Sequence, residues 1–401
     1  MMKFTDPGTP TRPILSEQEA AQFTPSHYLT LPAEETQLKA HAWCPEAILT
    51  DNVQTPFTVG PDINTNGAQY THIQQAINAV LRENNGHQRI YIKLLPGTYT
   101  GTVYIPANAP PITLFGAGGD AANVVIQLAL DATMSPAAYQ TIVNSNGEYQ
   151  PNDPAWNMYS ICAFQQKETI DTHCAAVMWS QNENFQLKNL TVVNTLLDTV
   201  DGGAHQGVAL RIDGDKTQLE NVRLIGRHDT FFVNTSDINN RYVTDRYSRA
   251  YIKDCYIEGD VDYVFGRAMA VFDNVEFHTV SSRGAGEAYV LAPNSLPWVK
   301  YGFLVINSRF TGDAGFADQR KAKLGRAWDQ GARQTGYLPG KTANGQLVIR
   351  DSYIDASYDR EHPWGAAATT RRPFIGNHHA NRDLNDISFN RLWEYNNMQA
   401  I

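Results

Sequence analysis

Cysteine is scarce in this chain of 401 residues: Cys44, Cys162, Cys174 and Cys255 are the whole supply. Four thiols cannot staple a protein of this size, so a hydrophobic core has to carry the fold. Long apolar runs are missing too, and nothing approaches the roughly 18–20 residues of a membrane-spanning helix. Positive charge is in the minority, with 32 Lys and Arg against 41 Asp and Glu, a formal net charge of −9. That balance argues against the basic footprint of a nucleic-acid binder. The opening MMKFTDPGTP has no apolar h-region and reads as no secretory signal. What remains, 42% hydrophobic and 18% charged, is the composition of a folded globular chain.

Residues 1–40 are rich in Pro, Thr, Ser and Glu and lack periodicity, so they read as a tail or linker, either free or wrapped onto the body formed by residues 41–401. Phe57–Gly60 reads as a strand. In the following YTHIQQAINAVLREN, Ile73, Ile77, Val80 and Leu81 share one helical face, with Thr71 a candidate N-cap. Such a helix would cover the open end of a stack of sheets. Residues 130–183 read as long loops with a strand or two. Cys162 and Cys174 could pair there, which spacing leaves open, while Cys255 reads as a buried thiol.

From Phe185 a repeat appears: apolar, any, Asn or Asp, small or apolar, any, apolar. It fits LKNLTV at Asn189, LENVRL at Asn221, IKDCYI at Asp254, FDNVEF at Asn274, VINSRF at Asn307 and IRDSYI at Asp351. Internal repeats of strand-like units predict a solenoid in which each coil stacks its inward residues on the next. The recurring Asn or Asp suits a bend, because a short polar side chain bonds local backbone. The expected fold is therefore all-β, a parallel β-helix with an N-terminal capping helix and long loops. A β-sandwich with loose repeats is the alternative.

Four runs combine functional groups with Gly or bulky apolar neighbours: HQGVAL with Gln206, GRHDTFFV with His228 and Asp229, DVDYVFGRA with Asp262 and Arg267, and KLGRAWDQ with Arg326 and Trp328. Asp229 and Asp262 lie 33 residues apart, the same interval as Asn221 to Asp254. In a stack of coils this spacing would set two carboxylates over one groove. Such a pair divides its roles, one staying charged while the other keeps its proton. An arginine would orient the charged member.

These runs resemble the signature blocks of the pectin methylesterase family, whose members are right-handed parallel β-helices. HQGVAL resembles the family's QAVAL, HDTFF its QDTLY, DYVFG its DFIFG and LGRAW its LGRPW. The likeness extends from GTYTGTVYIP to WEYNN. It implies Asp262 as nucleophile, Asp229 as general acid and then base, Gln206 as an oxyanion donor and Arg326 as partner of the nucleophile. Trp328, Tyr263 and Phe231 would line the groove. No metal or organic cofactor is implied. His228 stands where the family has an oxyanion-donating Gln, Arg267 where an Asn is usual, and Gly101 where a Glu is expected. About a dozen added residues, within NTSDINNRYVTDRYS, lengthen the loop between the two acidic blocks.

The departures keep the hydrolytic core and bring pectin itself into question. The chain resembles most an enterobacterial branch of outer-membrane lipoproteins, which implies export and a lipid anchor outside this sequence. The expected activity is carboxylic-ester hydrolysis on a small acyl ester or a polysaccharide ester by a monomer. An acyl thioester hydrolase and a silent glycan-binding β-helix are the alternatives.

Overall fold

The repeat positions share one backbone state. Asn189, Asn221, Asp254, Asn274, Asn307 and Asp351 all have φ between 51° and 56°, the left-handed region that Asn and Asp tolerate best among residues with a Cβ. Asn396, with φ 50°, is a seventh that the template misses. Each turns the chain between two short strands, and neighbouring turns are laced by side chains. Asn221 donates to Asn189 at 2.9 Å, Asn274 to Asp254 at 2.6 Å and Asn396 to Asp351 at 2.7 Å.

The computed structural model describes residues 1–30, 42–55, 57–83, 86–241, 247–317 and 321–401. The chain is a right-handed parallel β-helix, and its coils fall into two compact units: Pro45–Val243, and Met1–Cys44 with Thr244–Ile401.

In Pro45–Val243 the strands pair in parallel and in register, so that Leu187, Leu190 and Val192 sit on Leu219, Val222 and Leu224. A second parallel sheet runs through Val103–Ile105, Ala176–Ser180, Val208–Ile212 and Phe231–Val233. The helix Ile73–Glu83 buries Ile73, Ile77, Val80 and Leu81, the face its period predicts. It begins at Ile73, so the residue before it is His72 rather than Thr71, and the predicted final Asn84 lies outside the described residues. Gln74 on this helix accepts from the amide of Tyr104 at 2.7 Å and donates to its carbonyl at 3.1 Å. The helix thereby satisfies the backbone of the edge strand that it covers. Residues 130–183 differ from the loop reading. They hold helices Pro136–Val143, Trp156–Ala163 and Asp171–Cys174, and the Cys162–Cys174 disulfide ties the last two together. Stacking of Tyr159 on Tyr149 and Tyr139 fixes these short helices by tertiary contact rather than by propensity.

In the other unit two inward columns run along the coils. One is Ile252, Phe272, Val305, Ile349 and finally Glu394; the other is Ile257, Phe277, Phe310, Ile354 and finally Gln399. Both columns end in a polar residue buried to 1% exposure. Arg12 meets both: its Nε and Nη2 donate to Glu394 at 2.6 and 3.0 Å, and its Nη1 to Gln399 at 2.7 Å. The last coil thus closes on a guanidinium rather than on apolar side chains. Of the two readings of the N-terminal segment, residues 1–30 follow the wrapped one and are no free tail. Leu15, Phe23, Tyr28 and Leu29 pack into one core with Met269, Val271, Leu304, Val348 and Trp393, and a Ser16–Glu19 capping box starts the helix Glu17–Ala20. The composition concealed this because the apolar anchors are few and irregularly spaced. Residues 31–41 lie outside the described ones.

Candidate active site

Asp262 has φ 48° and Asp229 φ 65°, so both carboxylates predicted to act sit in left-handed backbone. Strain of this kind costs of order 1–3 kcal/mol and persists where surrounding structure enforces it. Both residues are largely buried, at 8% and 9% exposure.

Around Asp262 the enforcing structure is explicit. Asp260, two residues earlier, is an ion-pair partner of Arg283, whose Nε and Nη2 reach its two oxygens at 2.7 and 2.9 Å. Asp260 also accepts from the amide of Val261 at 2.7 Å, closing the turn from which Asp262 projects. The residues after it enter the strand Val264–Gly266, which pairs with Ala288–Pro293, which in turn pairs with Ala322–Gly325. A Cβ on Gly325 would lie 2.3 Å from the carbonyl oxygen of Leu291, so only glycine lets these coils approach. The next residue is Arg326. Its Nε donates to Asp262 Oδ1 at 2.8 Å and its Nη2 to Oδ2 at 2.7 Å, a bidentate pair. The guanidinium lies 4.0 Å from the ring centroid of Tyr289, whose hydroxyl donates to Glu287. Arg326 and Asp262 are therefore joined as a pair, and the aromatic support of the guanidinium, Tyr289, is a residue the sequence did not single out.

Trp328 packs edge-on against Phe265 at 5.8 Å and is half-buried. Arg267 turns its Nε to the carbonyl of Asn294 at 3.0 Å. Tyr263 is a correction: it is fully buried, and its hydroxyl meets Thr279, which meets Tyr358, inside the coil. The alternation of the strand after the Asp262 turn aims it inward.

In the Pro45–Val243 unit, Gln206 and His228 are parallel neighbours on adjacent coils, with the Gly207 amide donating to the His228 carbonyl at 3.0 Å. His228 Nε2 stands 3.6 Å from Asp229 Oδ1, close enough for charge to be felt but long for a hydrogen bond. Gln206 is half-buried, and its carbonyl accepts from Ala132 at 2.9 Å. The preceding His205 meets Asp131 at 2.7 Å, which fixes that turn from outside. Phe231 is the second correction. It is fully buried beside Leu210 in the sheet and lines no groove. Part of the lengthened loop, residues 242–246, lies outside the described residues.

A family model described as Pectinesterase matches residues 158–337, a span that holds Gln206, His228, Asp229, Asp262 and Arg326. Over 100% of both sequences the chain is 66% identical to Pectinesterase B of Pectobacterium parmentieri. The chain belongs to the pectinesterase family. It is also 46% identical, over 98% of its length and 89% of the relative's, to the putative acyl-CoA thioester hydrolase YbhC of Escherichia coli. Among solved structures, Escherichia coli YbhC superposes with a TM-score of 0.91 at 45% identity, over 99% of this chain and 96% of that one. The rice weevil pectin methyl esterase follows the same path with a TM-score of 0.86 at 36% identity, over 99% of both chains. The likeness to Pectinesterase B includes the N-terminal segment, in keeping with the packing of Leu15, Phe23, Tyr28 and Leu29 into the core.

Proposed function

We propose that the chain hydrolyses the methyl esters of galacturonate units in pectin, releasing methanol and leaving carboxylates. The observation that carries this reading is the bidentate Arg326–Asp262 pair on a strained turn, which orients a carboxylate as a nucleophile requires. Two thirds identity to a protein named Pectinesterase B supports the methyl ester over the thioester named for the more distant relative.

In this reading an oxygen of Asp262 adds to the ester carbonyl carbon, and the carbonyl π pair moves onto its oxygen. The side-chain amide of Gln206, with an imidazole N–H of His228, donates to that oxyanion. Collapse breaks the bond to the methoxy oxygen, which takes the proton held by Asp229 and leaves as methanol. An anhydride then joins Asp262 to the substrate acyl group. Asp229, now a carboxylate, removes a proton from water as the water oxygen adds to the substrate acyl carbon. Expulsion of the Asp262 carboxylate completes the cycle. Trp328 supplies a surface for a sugar ring. The substrate is a polysaccharide or oligosaccharide ester, and the reading includes export to the periplasm or outer membrane. The Cys162–Cys174 disulfide supports an oxidising compartment.

Methanol release from methylated pectin by wild type and by Asp262→Asn tests it. The amide should lower kcat by roughly four orders of magnitude, the scale of losing a nucleophile. Equal rates would remove Asp262 from the mechanism, and thioester cleavage without methanol release would transfer the site to the other chemistry.

A further inference from the structure

A pocket of about 300 Å³ lies within the Pro45–Val243 unit and holds none of the residues assigned to hydrolysis. That volume is at the lower end of the range for small-molecule sites. Thr98, Thr100 and Ser145 share its lining with apolar Ile126, Ile142 and Val143. Glu148 is the one carboxylate among the described lining residues and His72 the one imidazole, and no Lys or Arg joins them. Gly101 lines the pocket as well, and a Cβ there would meet no atom within 4 Å. Open space therefore stands where the family's pattern has a Glu side chain.

The Glu148 side chain is only 10% exposed, yet its carboxylate accepts no hydrogen bond among the described residues. Its ion-pair partner is His72, whose Nε2 stands 3.8 Å from Oε1, too far for a hydrogen bond. The backbone around Glu148 is anchored on both sides. Asn78, on the helix Ile73–Glu83, donates to the Glu148 carbonyl at 2.9 Å. Tyr149, the next residue, exchanges two bonds with the Asn144 side chain at 2.9 Å each. The Tyr149 hydroxyl is buried and reaches Thr102 at 2.6 Å and Gln74 at 3.1 Å. A carboxylate so placed calls for donors that the chain itself does not supply.

We infer that this pocket binds one neutral sugar unit through neighbouring hydroxyls, which donate to Glu148 and accept from His72 Nε2. The Thr71 hydroxyl lies 3.1 Å from His72 Nδ1, and when it donates there the ring proton sits on Nε2, the nitrogen that faces Glu148. The pocket then pairs an acceptor with a donor. A hydroxyl answers both, whereas an ammonium only donates and a carboxylate only accepts. A cation would leave the imidazole N–H unmatched, and a uronate would set its charge against Glu148. Hydroxyl donors to a carboxylate form short, charge-assisted bonds, and the apolar part of the lining suits the C–H face of a sugar ring. The site does not depend on which ester the chain cleaves.

Calorimetric titration of wild type with methyl galactopyranoside, methyl galacturonoside and putrescine tests it, since the first two differ only in the charged group at C6. The neutral glycoside should bind saturably, with a Kd at least roughly tenfold below that of either charged probe. Glu148→Gln keeps the shape and removes the charge, and should weaken the glycoside roughly tenfold, the effect of about one charge-assisted contact. His72→Phe keeps a ring without its N–H and should weaken it severalfold. Circular dichroism and Tm show that each variant is folded, and either one alone reads the site if the other is not. Tighter binding of putrescine makes the pocket a cation site and overturns the inference. Equal binding of the two glycosides, no saturable binding of the neutral one, or a Kd unchanged in the folded variants overturns it as well.

Discussion

Arg326 grips Asp262 through Nε and Nη2 at 2.8 and 2.7 Å, one donor to each carboxylate oxygen, while its own face rests 4.0 Å from the Tyr289 ring centroid. A planar fork makes this geometry and an ammonium does not. Arg326→Lys should therefore keep the charge and lose the orientation. We expect kcat on methyl esters to fall roughly 10- to 100-fold with little change in KM, a loss confined to the transition state. Steady-state methanol release checks it, and an unaltered kcat would show that charge alone suffices.

His228 occupies the position where the family's pattern has glutamine, beside Gln206 and 3.6 Å from Asp229. Imidazole is the side chain whose charge changes most readily between about pH 5 and 8, whereas an amide donates at every pH. His228→Gln should raise turnover of methylated pectin severalfold and flatten the pH dependence of kcat/KM over that interval. A pH–rate profile of the two proteins is the measurement. An unchanged profile would leave the oxyanion contact to Gln206.

The closing contact of the last coil carries a stability prediction. Arg12→Met leaves Glu394 buried without its guanidinium and should cost roughly 3–5 kcal/mol. Replacing both, with Arg12→Met and Glu394→Leu, removes the charge from each side and should recover most of that loss. Urea denaturation of the three proteins reads the difference. Equal stabilities of wild type and Arg12→Met would make the N-terminal segment a passive cover.

His173 gives a prediction with pH. Burial and then the nearby Arg211 lower its pKa from 6.5 to about 4. The unfolded chain therefore binds more protons than the folded one between about pH 6.5 and 4, and stability must fall as pH falls through that window. Below about 4 both states are protonated and this contribution is flat. His173→Asn should show a shallower loss of Tm between pH 7 and 4 than wild type, measured by scanning calorimetry.

Much of this was legible from the chain because it is local. The Asn or Asp template marks coils since a left-handed turn needs a residue that tolerates positive φ, and that requirement acts within a few residues. The helix over Ile73–Glu83 announced itself by period for the same reason. Short helices such as Trp156–Ala163 did not, since eight residues in a crowded aromatic cluster are ordered by their neighbours. Tyr263 and Phe231 misled because residue type alone does not say which side of the sheet an aromatic faces.

The sequence by itself determined the repeat and pointed to Asp262 and Arg326 as candidates, because period and motif are properties of neighbouring residues. Only the tertiary structure decided how the columns end and what steadies the turn of Asp262. Arg12 meets Glu394 across 382 residues, Arg283 closes the Asp260 turn from the following coil, and Arg372 clamps the loop of Arg371 on Asp329. These are contacts of buried charge, and a buried charge is stable only beside a partner that the fold, not the local chain, brings to it.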